Sequence, residues 1–237
     1  MNNENLNPDK ALKRLIEGNK RFAAGLRSIE SIASSQKREQ LARLGQKPFA
    51  IVLTCSDSRV PAETVFDAGL GDLFVIRVAG NIAAPSLIAS IEFAALSFGT
   101  PICIVMGHTK CGAIHGAVTG VMKKQSSLTP NLDILLKEIE PAAEQALSLQ
   151  RVGTKGEDSA GDLNDIVDSA IKLNVQHTMD QLRKSSAHLR ELEASGGFKI
   201  VGAVYDISDG DVRFMDQSSR SSKGLARDYQ KDFPTLP

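Results

Sequence analysis

The 237-residue chain carries no net charge at neutral pH, because 28 lysines and arginines match 28 aspartates and glutamates. Without a basic excess it lacks the electrostatic footprint needed to hold nucleic acid or an anionic membrane surface. Neither partner is expected. Long apolar runs are missing too. The longest, Pro85 to Gly107, is broken by Glu92, Gly99 and Pro101, so it reads as helix, turn and strand and not as a membrane span. Cysteine is scarce. Three thiols, Cys55, Cys103 and Cys111, cannot close a set of disulfides, which points to a reducing compartment and to ligand or catalytic thiols. The first ten residues (MNNENLNPDK) show no basic-then-apolar leader pattern. A cytoplasmic protein is expected, and a periplasmic form whose signal has been removed would read the same.

What is present suits one large domain. Apolar residues make up 42% of the chain, enough for a sizeable core, and no shift in composition divides it. Asn7-Pro8 reads as a cap with proline in the first turn, followed by an amphipathic helix to about Ala24 with Leu12, Leu15, Ile16 and Phe22 near one face. A polar helix is expected from about Ser31 to Leu44, so residues 1–45 form a helical arm. Short apolar runs at Phe49–Leu53, Leu73–Val78 and Ile102–Met106 read as strands covered on both faces. Between the last two, Leu87, Ile88, Ile91, Ala94, Ala95 and Phe98 repeat at helical spacing. Strand, helix and strand in alternation predict an α/β fold with a parallel sheet. Arg151 to Asp162 reads as a surface loop, Leu163 to Glu193 as one helix, and Lys199–Tyr205 with Val212–Met215 as a hairpin closing a sheet edge. Residues 217–237 form a polar tail.

Two stretches are unusual. CSDSR (55–59) follows the first strand directly, and GHTKCGAIHG (107–116) follows the third. Each places reactive side chains where a turn residue would do. Cys55, His108 and Cys111 all fall at the carboxyl ends of strands, where open α/β sheets build sites if the two strands flank the point at which strand order reverses. Thiolate and imidazole suit zinc and not the oxygen-seeking calcium or magnesium. Three readings of these residues stay open. An inert core thiol is the commoner fate of a buried cysteine, and it is the expectation for Cys103. A structural zinc would want a fourth ligand, which is not evident. A catalytic zinc keeps its fourth position open and fits the count. Asp57 lies two residues beyond Cys55, and Arg59 can grip its carboxylate through two parallel hydrogen bonds.

The paired C-x-D-x-R and H-x-x-C motifs resemble the beta-class carbonic anhydrases. The likeness runs through FVIRVAGN (74–81), SIEFAAL (90–96), CGAIHGAV (111–118) and GAVYDISDGDV (202–212), and so covers most of the chain. It implies Cys55, His108 and Cys111 as ligands of one zinc per chain, and Asp57 with Arg59 as the catalytic dyad. It implies a sheet ordered 2-1-3-4-5 with the last strand antiparallel at the edge, and reversible hydration of carbon dioxide to bicarbonate. It also implies a homodimer, or a dimer of dimers, whose N-terminal helices embrace the partner subunit. Some members of the class have a regulatory bicarbonate pocket that relies on tryptophan. This chain has none, which excludes that pocket in its known form.

Two thiolates and a neutral imidazole would leave a zinc site formally near zero charge. A water there would be less acidified than beside three imidazoles, so activity is expected to rise with pH through an apparent pKa above about 7. His115, one helical turn beyond Cys111, is a candidate proton shuttle. Hydrolysis of carbonyl sulfide or carbon disulfide is a rival on the same chemistry. A non-catalytic zinc or thiol-redox protein is a rival of another class, and it would have no use for Asp57 and Arg59.

Overall fold

The computed structural model describes residues 6–28, 34–125, 127–153 and 162–215. Its centre is a five-stranded sheet ordered β2-β1-β3-β4-β5, built from β1 (Ala50–Thr54), β2 (Leu73–Arg77), β3 (Ile102–His108), β4 (Lys199–Tyr205) and β5 (Val212–Phe214). The first four strands run parallel, and β5 pairs antiparallel with β4. Every residue of β1 and of β3 is buried, as strands covered on both faces require. Side chains alternate between two cores. Ile51, Leu53, Cys103 and Val105 face one side, and Ala50, Val52, Ile104 and Met106 face the other.

The first side is covered by α4 (Pro85–Phe98), α5 (Gly112–Lys123), α6 (Pro130–Gly153), α7 (Leu163–Ser185) and α8 (Ala187–Ala194). Helix α7 approaches the sheet closely because two strand residues are glycines. A Cβ at Gly107 would lie 2.8 Å from Val175 Cγ2, and one at Gly202 would lie 2.9 Å from Val175 Cγ1. The second side is covered by α1 (Pro8–Ala23) and the short α3 (Ala62–Val65). Asn7 caps α1 by accepting from Lys10 N, with Pro8 in the first turn. Asn19 then pins the helix to its own chain. Its amide donates to Val65 O (3.2 Å) and Gly210 O (2.8 Å), and its oxygen accepts from Val212 N (2.8 Å). Between these elements lies α2 (Ser35–Leu44), which buries none of its residues.

Several boundaries differ from those expected. Strand β3 runs two residues further, to His108, because its pairing with β4 continues through His108↔Tyr205. The expected helix from Leu163 to Glu193 is two helices, α7 and α8. Ser186 breaks it by turning extended (φ −119°, ψ 110°) and capping α8 through Leu189 N. Helix α6 carries on to Gly153, into the stretch read as a loop. Residues 154–161 of that loop, 31–33 of the second helix and 217–237 of the tail lie outside the described residues. Among the described residues, no helix is long and apolar enough to cross a membrane.

Candidate metal centre

The sheet order places β1 between β2 and β3, so the carboxyl ends of β1 and β3 flank the point where the order reverses. Cys55 directly follows β1, His108 ends β3 and Cys111 is the N-cap of α5. All three are buried, and their ligand atoms lie within 4.8 Å of one another. Lys110 makes the reversal possible by adopting a left-handed backbone (φ +56°). Such a conformation is costly for a lysine and is kept where the surroundings enforce it.

Chemistry fixes the imidazole. His108 Nδ1 lies 2.9 Å from Thr109 O, and a carbonyl only accepts, so Nδ1 carries the proton and Nε2 keeps a free lone pair. That Nε2 has no hydrogen-bond partner among the described residues, although His108 is fully buried. A buried polar atom left unpaired costs about 1–3 kcal/mol. A metal ligated by Nε2 and the two sulfurs would repay that cost, and the donor set suits zinc. The residues fit the ion.

The sulfurs are supplied with donors. Cys55 Sγ accepts from Asp57 N and from Gly80 N, each at 3.4 Å. The backbone N–H groups of Ile114 and Ala113, at the start of α5, serve Cys111. The thiols also bond to each other. Donation from Cys111 is the largest cause pulling the Cys55 thiol well down, aided by the two backbone amides against the effect of burial. The same bond, with burial, pushes Cys111 up. The two thiols are coupled, so they give up their protons as a pair and not independently.

Asp57 is held as expected. Its Oδ1 accepts from Arg59 N and Nε (both 2.9 Å), and its Oδ2 accepts from Arg59 Nη2 at 2.7 Å. The same Nη2 donates to Lys110 O at 3.2 Å, tying the first loop to the second. Arg59's hydrogen bonds keep the Asp57 carboxyl well below the usual carboxylate range. Asp57 Oδ2 lies 3.9 Å from His108 Nε2. His115 sits on the exposed side of α5, its N–H bonded to Cys111 O. Cys103 stands apart within β3, and burial pushes its thiol up to about 12.

The sequence reading missed Arg77. From the end of β2 it donates through Nε to Cys55 O (3.1 Å) and through Nη2 to Asp57 O (2.6 Å). Its signal was a guanidinium closing an apolar strand, the same oddity that singled out CSDSR. Two cavities outside the centre have volumes of about 100 and 190 Å³. Both flank the loop from Phe66 to Leu73 on the α1 side of the sheet.

The family model for carbonic anhydrase matches residues 50–212. Carbonic anhydrase 2 of Mycobacterium tuberculosis is 36% identical over 206 residues, covering 87% of this chain and 92% of its own. Among solved structures, the beta-carbonic anhydrase CcaA superposes with a TM-score of 0.65 at 27% identity, covering 88% of this chain and 93% of its own. A tetrameric beta-carbonic anhydrase from Sordaria macrospora gives 0.63 at 26% identity, covering 75% and 85%.

Proposed function

The chain belongs to the beta-carbonic anhydrases, and on that premise we propose that it catalyses zinc-dependent, reversible hydration of carbon dioxide to bicarbonate and a proton. One zinc per chain would be held by Cys55, His108 and Cys111. Asp57 and Arg59 form the catalytic pair. The observation that carries this reading is the buried, unpartnered His108 Nε2 beside two thiols and a clamped carboxylate.

Bound in this cluster, zinc would supply a water acidified enough to attack carbon dioxide. Asp57 would accept the hydrogen bond of such a water and fix the direction of its lone pair. It can do so because it stays ionised far below neutral pH. Arg59 holds both Asp57 oxygens through parallel bonds, which neutralises the carboxylate and keeps it from swinging into the cluster. Arg77 and the Arg59–Lys110 contact fix the loop that carries this pair. His115, exposed one turn along α5, passes the released proton to solvent.

A homodimer or dimer of dimers is the assembly we expect. The family membership supports it, as does the relative from Sordaria macrospora, which is described as tetrameric. Light scattering on the purified protein tests it. A cytoplasmic location is supported by three free cysteines and is tested by cell fractionation. The decisive experiment joins metal analysis to a stopped-flow assay of carbon dioxide hydration. About one zinc per chain is expected. Full zinc occupancy in a Cys55→Ser, Cys111→Ser double variant would overturn the ligand assignment.

A further inference from the structure

The turn between β2 and α4 reaches the Cys55 sulfur, and it is an unusual turn. Gly80 (φ +73°) and Asn81 (φ +45°) are consecutive residues in the left-handed region. Asparagine tolerates that region better than most residues but still at a cost. The turn is also closely covered, since a Cβ at position 80 would lie 2.5 Å from Ile139 Cδ1 and would push that side chain aside. A backbone shape of this kind persists only where its surroundings over-determine it. Here they come from the far end of the chain.

Helix α7 supplies them. Asn174 Nδ2 donates to Gly80 O at 2.8 Å, and Thr178 Oγ1 donates to Asn81 O at 3.2 Å. The two are one helical turn apart, so they lie on the same face, and both are buried. Helix α7 is itself seated through Val175 on Gly107 and Gly202, so the two donors hang from a fixed frame. Anchoring the carbonyls of residues 80 and 81 fixes the 80–81 and 81–82 peptide groups on either side of Asn81 Cα, and only the φ and ψ of Gly80 separate that frame from the Gly80 N–H. That in turn aims the Gly80 N–H at Cys55 Sγ.

We propose that Asn174, assisted by Thr178, is a positioning residue for the Cys55 sulfur. It would act through the Gly80–Asn81 turn, 94 residues away in sequence. An N–H donated to a metal-bound thiolate draws electron density off sulfur and fixes its direction. Removing such outer supports typically weakens metal binding by about 10–100-fold. The inference rests on Cys55 being a zinc ligand, and the closing experiment separates the two ideas.

Zinc affinity is measured by competition with a chromogenic chelator for wild type, Asn174→Leu, Thr178→Val and Leu182→Ala. Leu182 is buried on the same helix and serves as a control for general destabilisation. The expected result is roughly 10-fold weaker binding in Asn174→Leu, a smaller loss in Thr178→Val and none in Leu182→Ala. With cobalt in place of zinc, the sulfur-to-metal charge-transfer band should move to longer wavelength in the first two and stay put in the control. If Asn174→Leu does not fold, Thr178→Val decides. Wild-type affinity and an unmoved band in the folded variants would overturn the inference, as would an equal loss in Leu182→Ala. A wild-type protein that binds no zinc would instead overturn the proposed function.

Discussion

Cys55, just beyond β1, and Cys103, inside the neighbouring β3, are 5% and 0% exposed, yet they behave in opposite ways. Cys103 lies inside β3 with Ile51 and Ile200 across from it, and burial pushes its thiol up to about 12. Cys55 stands just past the end of β1, where the backbone turns and N–H groups become free to donate. Hydrogen bonding from Cys111, with smaller help from the Gly80 and Asp57 amides, outweighs burial and pulls its thiol down. Hiding a thiol from water therefore does not decide its character. What differs is the neighbour each sulfur meets: a second thiol beside Cys55 at the carboxyl end of the sheet, and Ile51 and Ile200 beside Cys103 within it.

The largest expected effect comes from removing a sulfur from the cluster that holds Cys55. Cys55→Ser and Cys111→Ser should each lose zinc and with it hydration activity, as metal analysis and stopped-flow assays would record. Next comes the Asp57–Arg59 pair. Arg59→Ala should keep its zinc while hydration falls about 100-fold, the lower end of the cost of losing one preorganised group. Near-normal turnover would remove Arg59 from the mechanism. Arg77→Gln should fall between, retaining zinc with activity reduced roughly 10-fold as an outer support. Equal activity would show that the loop from 55 to 59 holds itself.

Wild-type activity should rise between about pH 6 and 9. Asp57 is not the group responsible. Arg59 keeps it ionised across that whole window, so the rise belongs to the reacting water. A profile flat over that range would contradict the proposed chemistry.

The smallest effect belongs to Cys103. Cys103→Ala should keep zinc and activity and cost on the order of 1 kcal/mol near neutral pH, as a small core truncation does. The pH dependence of that difference carries a sign. A thiol raised from 9.0 to about 12 by folding favours the folded state fully below pH 9, and that advantage is lost as pH climbs toward 12. The stability gap between wild type and Cys103→Ala should therefore narrow above pH 9 in denaturant titrations. A constant gap would mean that the thiol is less isolated than its place in β3 indicates.

Much of this was legible in the residues themselves. The runs from Phe49, Leu73, Ile102 and Lys199 are β-branched and apolar, and each became a strand within two residues of its expected bounds. Ser186 escaped notice because Leu182 and Leu189 keep a helical interval across it, and only its bond to Leu189 N reveals the new start. His108 was expected just past the end of its strand, because the apolar run stops at Met106. Its burial follows from the pairing with Tyr205. Arg77 and Gly80 sat in plain view within FVIRVAGN, but their partners lie across the sheet.

The sequence by itself determined the strands, the reactive residues at two strand ends and the donor types suited to zinc. Those depend on side-chain chemistry and short-range periodicity, both local properties. Only the tertiary structure decided that Arg77 grips the loop at 55–57 and that Asn174 bonds to the turn behind the Cys55 sulfur. A hydrogen bond between residues 94 positions apart exists only once sheet order and helix seating bring its two ends within 3 Å, and no local pattern of residues encodes that meeting.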